Sequence, residues 1–183
     1  MSTSREQIRA HHEAGHAVVA RLLGTTVVRA AIFSTGVGED ASVLTHSAEH
    51  LTREGDLLAR LHGLKVDAKV ALAGPYAQRK YRPNTNRKRA SCAEWALDLR
   101  NAESSAVKIV LLRADPHRVF DGDKEVTLTP EEVTEVHSLF SRFGADVRAM
   151  LDEHWPAVER VAGALLKSRI VSGDEIDALI AGR

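Results

Sequence analysis

The sequence predicts a mainly helical protein with one small β element, and three observations carry that reading. Apolar residues recur at helical spacing over long stretches, as at Leu57, Leu61, Leu64, Ala68, Ala71 and Leu72. Helix-start signals of the capping-box type stand at Ser4 with Gln7, at Thr129 with Pro130 and Glu132, and at Ser172 with Glu175. Only Val27 to Phe33 and Ala41 to Thr45 read as strands, two β-branched or apolar runs separated by a polar, glycine-containing turn.

In chain order, helix-favouring residues run from Ser4 to Gly24, a natural C-terminal stop. A hairpin or a two-to-three-strand ribbon follows. The next helix spans Glu54 to Ala73, where Gly74-Pro75 stops or kinks it. Arg79 to Arg89 is polar, contains Pro83 and reads as a loop. A long helix then covers about Ala93 to Arg113, followed by a turn-rich link through Pro116, Asp121, Gly122 and Asp123. Three further helices are expected: one opening at Thr129-Pro130 and reaching Glu153, then Trp155 to Ser168 and Ser172 to Ala181. Residues 1–183 are expected to form one domain, a length sufficient for one sizeable core.

Composition excludes several functional classes. Lys+Arg and Asp+Glu both number 25, so no overall field draws the chain to nucleic acid or an anionic membrane. The apolar runs Ala17 to Leu23 and Val107 to Leu112 fall well short of the ~18 residues of a membrane span, and the N-terminus carries no apolar signal core. Cys92 is the single cysteine, which excludes an internal disulfide framework and fits a reducing, cytoplasmic setting. No Gly-x-x-x-x-Gly-Lys-Ser/Thr segment occurs, so the sequence carries no nucleotide-driven motor of that type. The basic run at 79–89 offers only Tyr81 for base stacking, and the last helix carries Asp174, Glu175 and Asp177 where a recognition helix needs cations; both disfavour nucleic acid as a partner.

The informative segment is His12-Glu13-Ala14-Gly15-His16. At about 3.6 residues per turn, His12 and His16 project from one helix face a turn apart, a spacing that lets two imidazoles grip one ion. Glu13 lies about 100° round the helix, outside that pair but suited to act as general base on a water at the metal. With nine histidines in the chain, such a motif arises by chance in roughly 3 of 100 shuffles. Its place inside a helix, with small Ala14, Gly15 and Ala17 leaving space for metal and substrate, argues against chance. Catalytic zinc usually takes three protein ligands and leaves one position open, so a third ligand is needed from elsewhere. Asp98 sits on a mostly apolar stripe with Trp95, Ala102, Ser105 and Ile109, where a carboxylate is costly without a charged partner. Glu94, one turn away, is its main competitor; His11, His46 and His50 are less constrained alternatives. His62, His117, His137 and His154 show no metal-like pairing and read as surface residues, and Cys92 as a small residue at a helix start.

The stretch from His12 to Val19, Leu72-Ala73-Gly74, Asp98 to Ala102 and the segment Ala149 to Ile180 together resemble the peptidase domain of the FtsH family of ATP-dependent zinc metalloproteases. The resemblance runs nearly end to end and implies a helical, zincin-like domain. It also implies zinc held by His12, His16 and Asp98, with Glu13 as the base. Where the family usually has Arg after Leu-Ala-Gly and an acidic residue shortly beyond, this chain has Pro75 and Gln78. The family's membrane helices and ATPase module have no counterpart in the sequence, so a free-standing peptidase domain is expected, acting on peptides or unfolded chains. The rival expectation is a catalytically inactive module that keeps the fold to bind a peptide or a partner protein; a third is a basic-loop binder of an anion or nucleic acid in which the metal is structural. The family works as rings, so a homo-oligomer and a separate ATPase partner are compatible with the resemblance.

Overall fold

The computed structural model describes residues 4–33, 41–45, 56–82, 93–118 and 126–183. Six helices and three short strands follow in the order α1 (Ser4–Leu22), β1 (Val27–Ile32), β2 (Ala41–Thr45), α2 (Leu57–Tyr81), α3 (Ala93–Ala114), α4 (Pro130–Glu153), α5 (Trp155–Ser168), β3 (Ile170–Ser172) and α6 (Gly173–Ile180). The protein is mainly α, as its helical periodicity predicts. Among the described residues no helix is long and apolar enough to cross a membrane.

α1 is the central element. It packs against α2 on one side and α5 on another, with β1 alongside, and every residue from Ala10 to Ala20 except His16 is buried. Small side chains make this possible. Ala10, Ala14, Ala17 and Ala20 are fully buried, so neighbouring helices approach α1 closely on several sides at once. Closest of all is the crossing with α2: a Cβ at Gly15 would lie 2.5 Å from the Ala77 Cβ and 2.7 Å from the Ala73 carbonyl oxygen. The room expected beside Gly15 for metal and substrate is therefore taken by the backbone of α2.

A second departure from expectation concerns α2, which continues through Gly74-Pro75 to Tyr81 instead of stopping there. Pro75 lacks the N–H that would bond the Ala71 carbonyl, a defect that ordinarily ends a helix. Here Leu72, Ala73, Gly74, Pro75, Ala77 and Gln78 are all buried, and packing on that face outweighs the local breaker. Arg79 to Tyr81 belong to this helix as well, while residues 83–92, with the rest of the basic run and Cys92, lie outside the described residues. The Ser4 side chain lies outside them too. α4 starts on the expected capping box, with Thr129 and Glu132 exchanging side-chain and backbone bonds, and Ser172 accepts from the Glu175 N–H at the start of α6.

The sheet has the order β2-β1-β3, antiparallel throughout. β1 and β2 are the expected hairpin strands; β3 pairs Ser172, Val171 and Ile170 with Arg29, Ala30 and Ala31 and is too short to leave a periodic pattern. α5 delivers the chain into it through Arg169, held in the left-handed region at φ 66°. The Arg169 carbonyl accepts from the Ile32 N–H at 2.9 Å and its guanidinium meets Glu6 at 2.5 Å, so contacts on both sides hold a conformation that a non-glycine residue adopts at a cost.

The α1–α2 crossing supplies a stability test. Gly15→Ala forces a methyl group against backbone, which cannot swing aside as a side-chain tip can. The substitution is expected to lower the free energy of unfolding by about 1–3 kcal/mol despite alanine's better helix propensity. Denaturant titration reads this directly, and an unchanged midpoint would contradict the crossing.

Candidate metal centre

The same crossing sets two imidazoles from α1 against α2. His12 and His16 lie one turn apart, their Nε2 atoms 3.0 Å from each other. Asp98, from α3, brings Oδ2 to 3.1 Å from His12 Nε2 and 3.5 Å from His16 Nε2. Tetrahedral zinc with ligands at about 2.0–2.2 Å has ligand–ligand edges of roughly 3.3–3.6 Å, so the three atoms already lie close to the spacing of such a shell. Among the described residues no other group of three His, Cys, Asp or Glu side chains gathers in this way.

What these atoms need is decided by their outer partners. His16 Nδ1 lies 2.7 Å from the Val70 carbonyl, an acceptor only, so Nδ1 carries the hydrogen and donates it. In the neutral ring Nε2 is then a bare lone pair. His12 Nδ1 lies 3.1 Å from Gln78 Oε1, which likewise turns its Nε2 inward as an acceptor. Asp98 Oδ2 completes the group, buried and without a hydrogen-bond partner, since its approach to His12 has the distance of a charge contact but not the alignment of a hydrogen bond. Three acceptors facing one another repel unless a cation sits between them.

Gly74 shapes the floor. A Cβ there would lie 2.3 Å from His16 Nε2 and 2.7 Å from His12 Nε2, so only glycine leaves space for the two nitrogens. The donor set, the orphaned carboxylate oxygen and the bare glycine all fit a metal ion of the zinc class. Side-chain exposure rises from 3% at His12 to 12% at His16 and 17% at Asp98, so the group meets solvent on its His16–Asp98 side.

Without a metal, protons fill part of the need. Burial alone would hold His16 below its ordinary 6.5, but the adjoining Asp98 carboxylate and the charge of Glu13 override it and raise its proton affinity. For Asp98, burial alone would raise the pKa; the facing His12 and His16 imidazoles outweigh it and hold the carboxyl down at about 2. Asp98 is therefore a carboxylate at neutral pH.

Of the residues expected at the site, the structure brings together His12, His16 and Asp98. Glu13, one residue along α1, is 4% exposed and near enough for its charge to act on His16. His11 turns elsewhere: its ring stacks on Tyr81 with centroids 3.6 Å apart, and its Nδ1 lies 2.7 Å from the Gln7 carbonyl. His46, His50 and the Glu94 side chain lie outside the described residues. Of the other histidines, His62, His117 and His137 are exposed and His154 partly so. Sequence reasoning did not reach the roles of Gly74, Val70 or Gln78. Gln78 stood out only as a neutral residue in an acidic position, and a backbone carbonyl leaves no trace in sequence.

Fold and site thus define a mainly helical protein with a half-buried His–His–Asp group of metal-ligand type. No family model matches the chain. It is 24% identical over 194 residues to the ATP-dependent zinc metalloprotease FtsH 4 of Sorangium cellulosum (strain So ce56), an alignment that takes in the whole chain and 30% of that protein. The chain therefore spans less than a third of the length of this curated relative, and what the similarity supports is a distant relation to an FtsH-type metallopeptidase.

Two tests follow from the geometry. Gly74→Ala is expected to weaken divalent-metal binding by at least tenfold in a competition titration, because its methyl group would clash with both imidazole nitrogens and displace them. The pH dependence has opposite signs with and without metal. In the metal-free protein the raised His16 stabilises below 6.5 and loses that contribution as pH rises through its folded value; the depressed Asp98 stabilises above 3.8 and loses it as pH falls towards about 2. Calorimetry of chelated protein should show the pair's stabilisation between those two ordinary values. Added zinc should stabilise increasingly as pH rises through the His16 titration, since metal and proton compete for one nitrogen.

Proposed function

We propose that this chain is a zinc-dependent endopeptidase that cuts peptides and unfolded chains. The observation that carries the reading is the convergence of His12 Nε2, His16 Nε2 and Asp98 Oδ2 around one space, beside a buried glutamate on the same helix. The relation to a protein named as a zinc metalloprotease supports the same chemistry.

His12, His16 and Asp98 would hold the zinc ion, which would supply Lewis-acid chemistry at the scissile carbonyl and at water near neutral pH. Glu13 acts as the general base: its carboxylate takes a proton from the attacking water and hands it to the leaving nitrogen as the C–N bond breaks. Asp98, ionised at neutral pH, offsets the charge of the ion, while Val70 and Gln78 hold both imidazoles with Nε2 inward. Substrate reaches the group from its exposed His16–Asp98 side. β2, an edge strand of the sheet among the described residues, is where an extended peptide would add as a further strand. Such binding reads main chain more than side chains and favours extended segments. Within the 183 residues there is no nucleotide-binding motor motif, so these residues by themselves act on flexible or unfolded substrates, with any unfolding left to a separate ATPase. A cytoplasmic setting belongs to the same proposal, resting on the single cysteine.

The decisive measurement pairs metal analysis with cleavage of a quenched fluorescent peptide. Glu13→Gln is expected to keep one zinc per chain and lose about 10²–10⁴-fold in kcat/KM, whereas Asp98→Ala should lose the metal as well. A wild-type protein that takes up zinc but cleaves no peptide would leave a binding module; one that takes up no divalent metal would end the reading.

A further inference from the structure

The two histidines are oriented by different kinds of partner. For His16 the partner is the Val70 carbonyl, which cannot be anything but an acceptor. For His12 it is the side chain of Gln78, whose amide carries an acceptor on one branch and two donor hydrogens on the other. Turned by half a rotation, the same Gln78 would present N–H to His12 Nδ1. His12 would then have to accept at Nδ1 and carry its hydrogen on Nε2, aimed into the group, where no metal could bind it. A glutamine in this place is therefore ambiguous by itself.

Trp95 removes the ambiguity. It lies on α3, one turn before Asp98, and its indole N–H donates to Gln78 Oε1 at 2.7 Å. An indole nitrogen is a donor only, so the Gln78 atom facing it must be oxygen, and that same oxygen is the one 3.1 Å from His12 Nδ1. A carbonyl oxygen has two lone pairs and accepts both bonds. Gln78 is 5% exposed, which leaves little water to stand in for either donor.

From this relay we infer that Trp95 and Gln78 are positioning residues which together hold His12 as the Nδ1–H tautomer, keeping its Nε2 lone pair turned towards the metal position. The inference rests on the metal-site reading for its purpose but not for its geometry. It identifies α3 as contributing twice to the centre, through Asp98 at the metal position and through Trp95 two bonds behind His12. It also explains how a neutral amide serves where a carboxylate, with two equivalent acceptor oxygens, would need no such lock.

The test reads the tautomer itself. Long-range proton–nitrogen spectra of the metal-free protein, under conditions where His12 is neutral, should show Nδ1 protonated and Nε2 bare. Trp95→Phe keeps an aromatic ring and removes only the donor. It should give a mixture of His12 tautomers and weaken zinc binding by about tenfold to a hundredfold, with the His16 signals unmoved. The critical arm is the background: in Gln78→Glu no rotation can present a donor, so adding Trp95→Phe should leave tautomer and affinity close to those of Gln78→Glu alone. An equal loss in both backgrounds would mean that Trp95 acts by packing and would overturn the proposal, as would a wild-type His12 protonated on Nε2. A protein that shows the lock but takes up no zinc would uphold this inference while removing the peptidase reading, so the two fail separately.

Discussion

Everything at this site depends on how closely two helix backbones approach. α1 and α2 cross where Gly15 faces Ala73 and Ala77, and the next glycine, Gly74, lies directly beneath the imidazoles of His12 and His16. A helix pair of ordinary residues keeps about 8–10 Å between axes and fills the gap with side chains. With glycine and alanine on the facing surfaces, the space normally taken by methyl and methylene groups is available to two histidine rings. The proline that follows Gly74 belongs to the same arrangement, since burial of this segment offsets the one backbone donor that Pro75 lacks.

Burial at this density gives the polar groups their character. His11, His12 and Glu13 are three consecutive ionisable residues in the most enclosed helix of the fold, and transferring such groups from water is costly unless each finds a partner. His11 finds an aromatic stack with Tyr81 and Trp155. His12 finds the amide of Gln78. The carboxylate oxygen of Asp98 finds no hydrogen bond at all, although its charge is balanced in part by the raised proton affinity of His16. Among the described residues that oxygen is the one buried polar side-chain atom left without such a bond, which fits a group built around a cation.

How much of this was legible in the sequence follows from the range of the interactions involved. The His12–His16 pair is local to one helical turn, so spacing alone located it. Helix starts were legible because Thr129 and Ser172 act on backbone N–H groups three residues away. Asp98 required a contact between distant parts of the chain; its apolar surroundings raised the question of a partner, and the family resemblance supplied one. The continuation of α2 through Pro75 was misjudged because the rule for proline describes an isolated helix, whereas here neighbours on the buried face decide. β3 was missed because three residues carry no period. The room beside Gly15 was assigned to substrate when it belongs to a neighbouring backbone, since a small residue in sequence does not say what fills the gap it leaves.

The clustered donor atoms come from α1 and α3, far apart along the chain, with α2 packed against both. An unfolded chain therefore holds no ready-made site, and an ion that binds only the folded form acts as a thermodynamic clamp on the whole molecule. Mass action sets its strength: free metal at a hundred times its dissociation constant adds about 2.7 kcal/mol to the folding equilibrium. Against a total native stability on the order of 5–15 kcal/mol, an ion bound at this group would be a sizeable share of what holds the fold together.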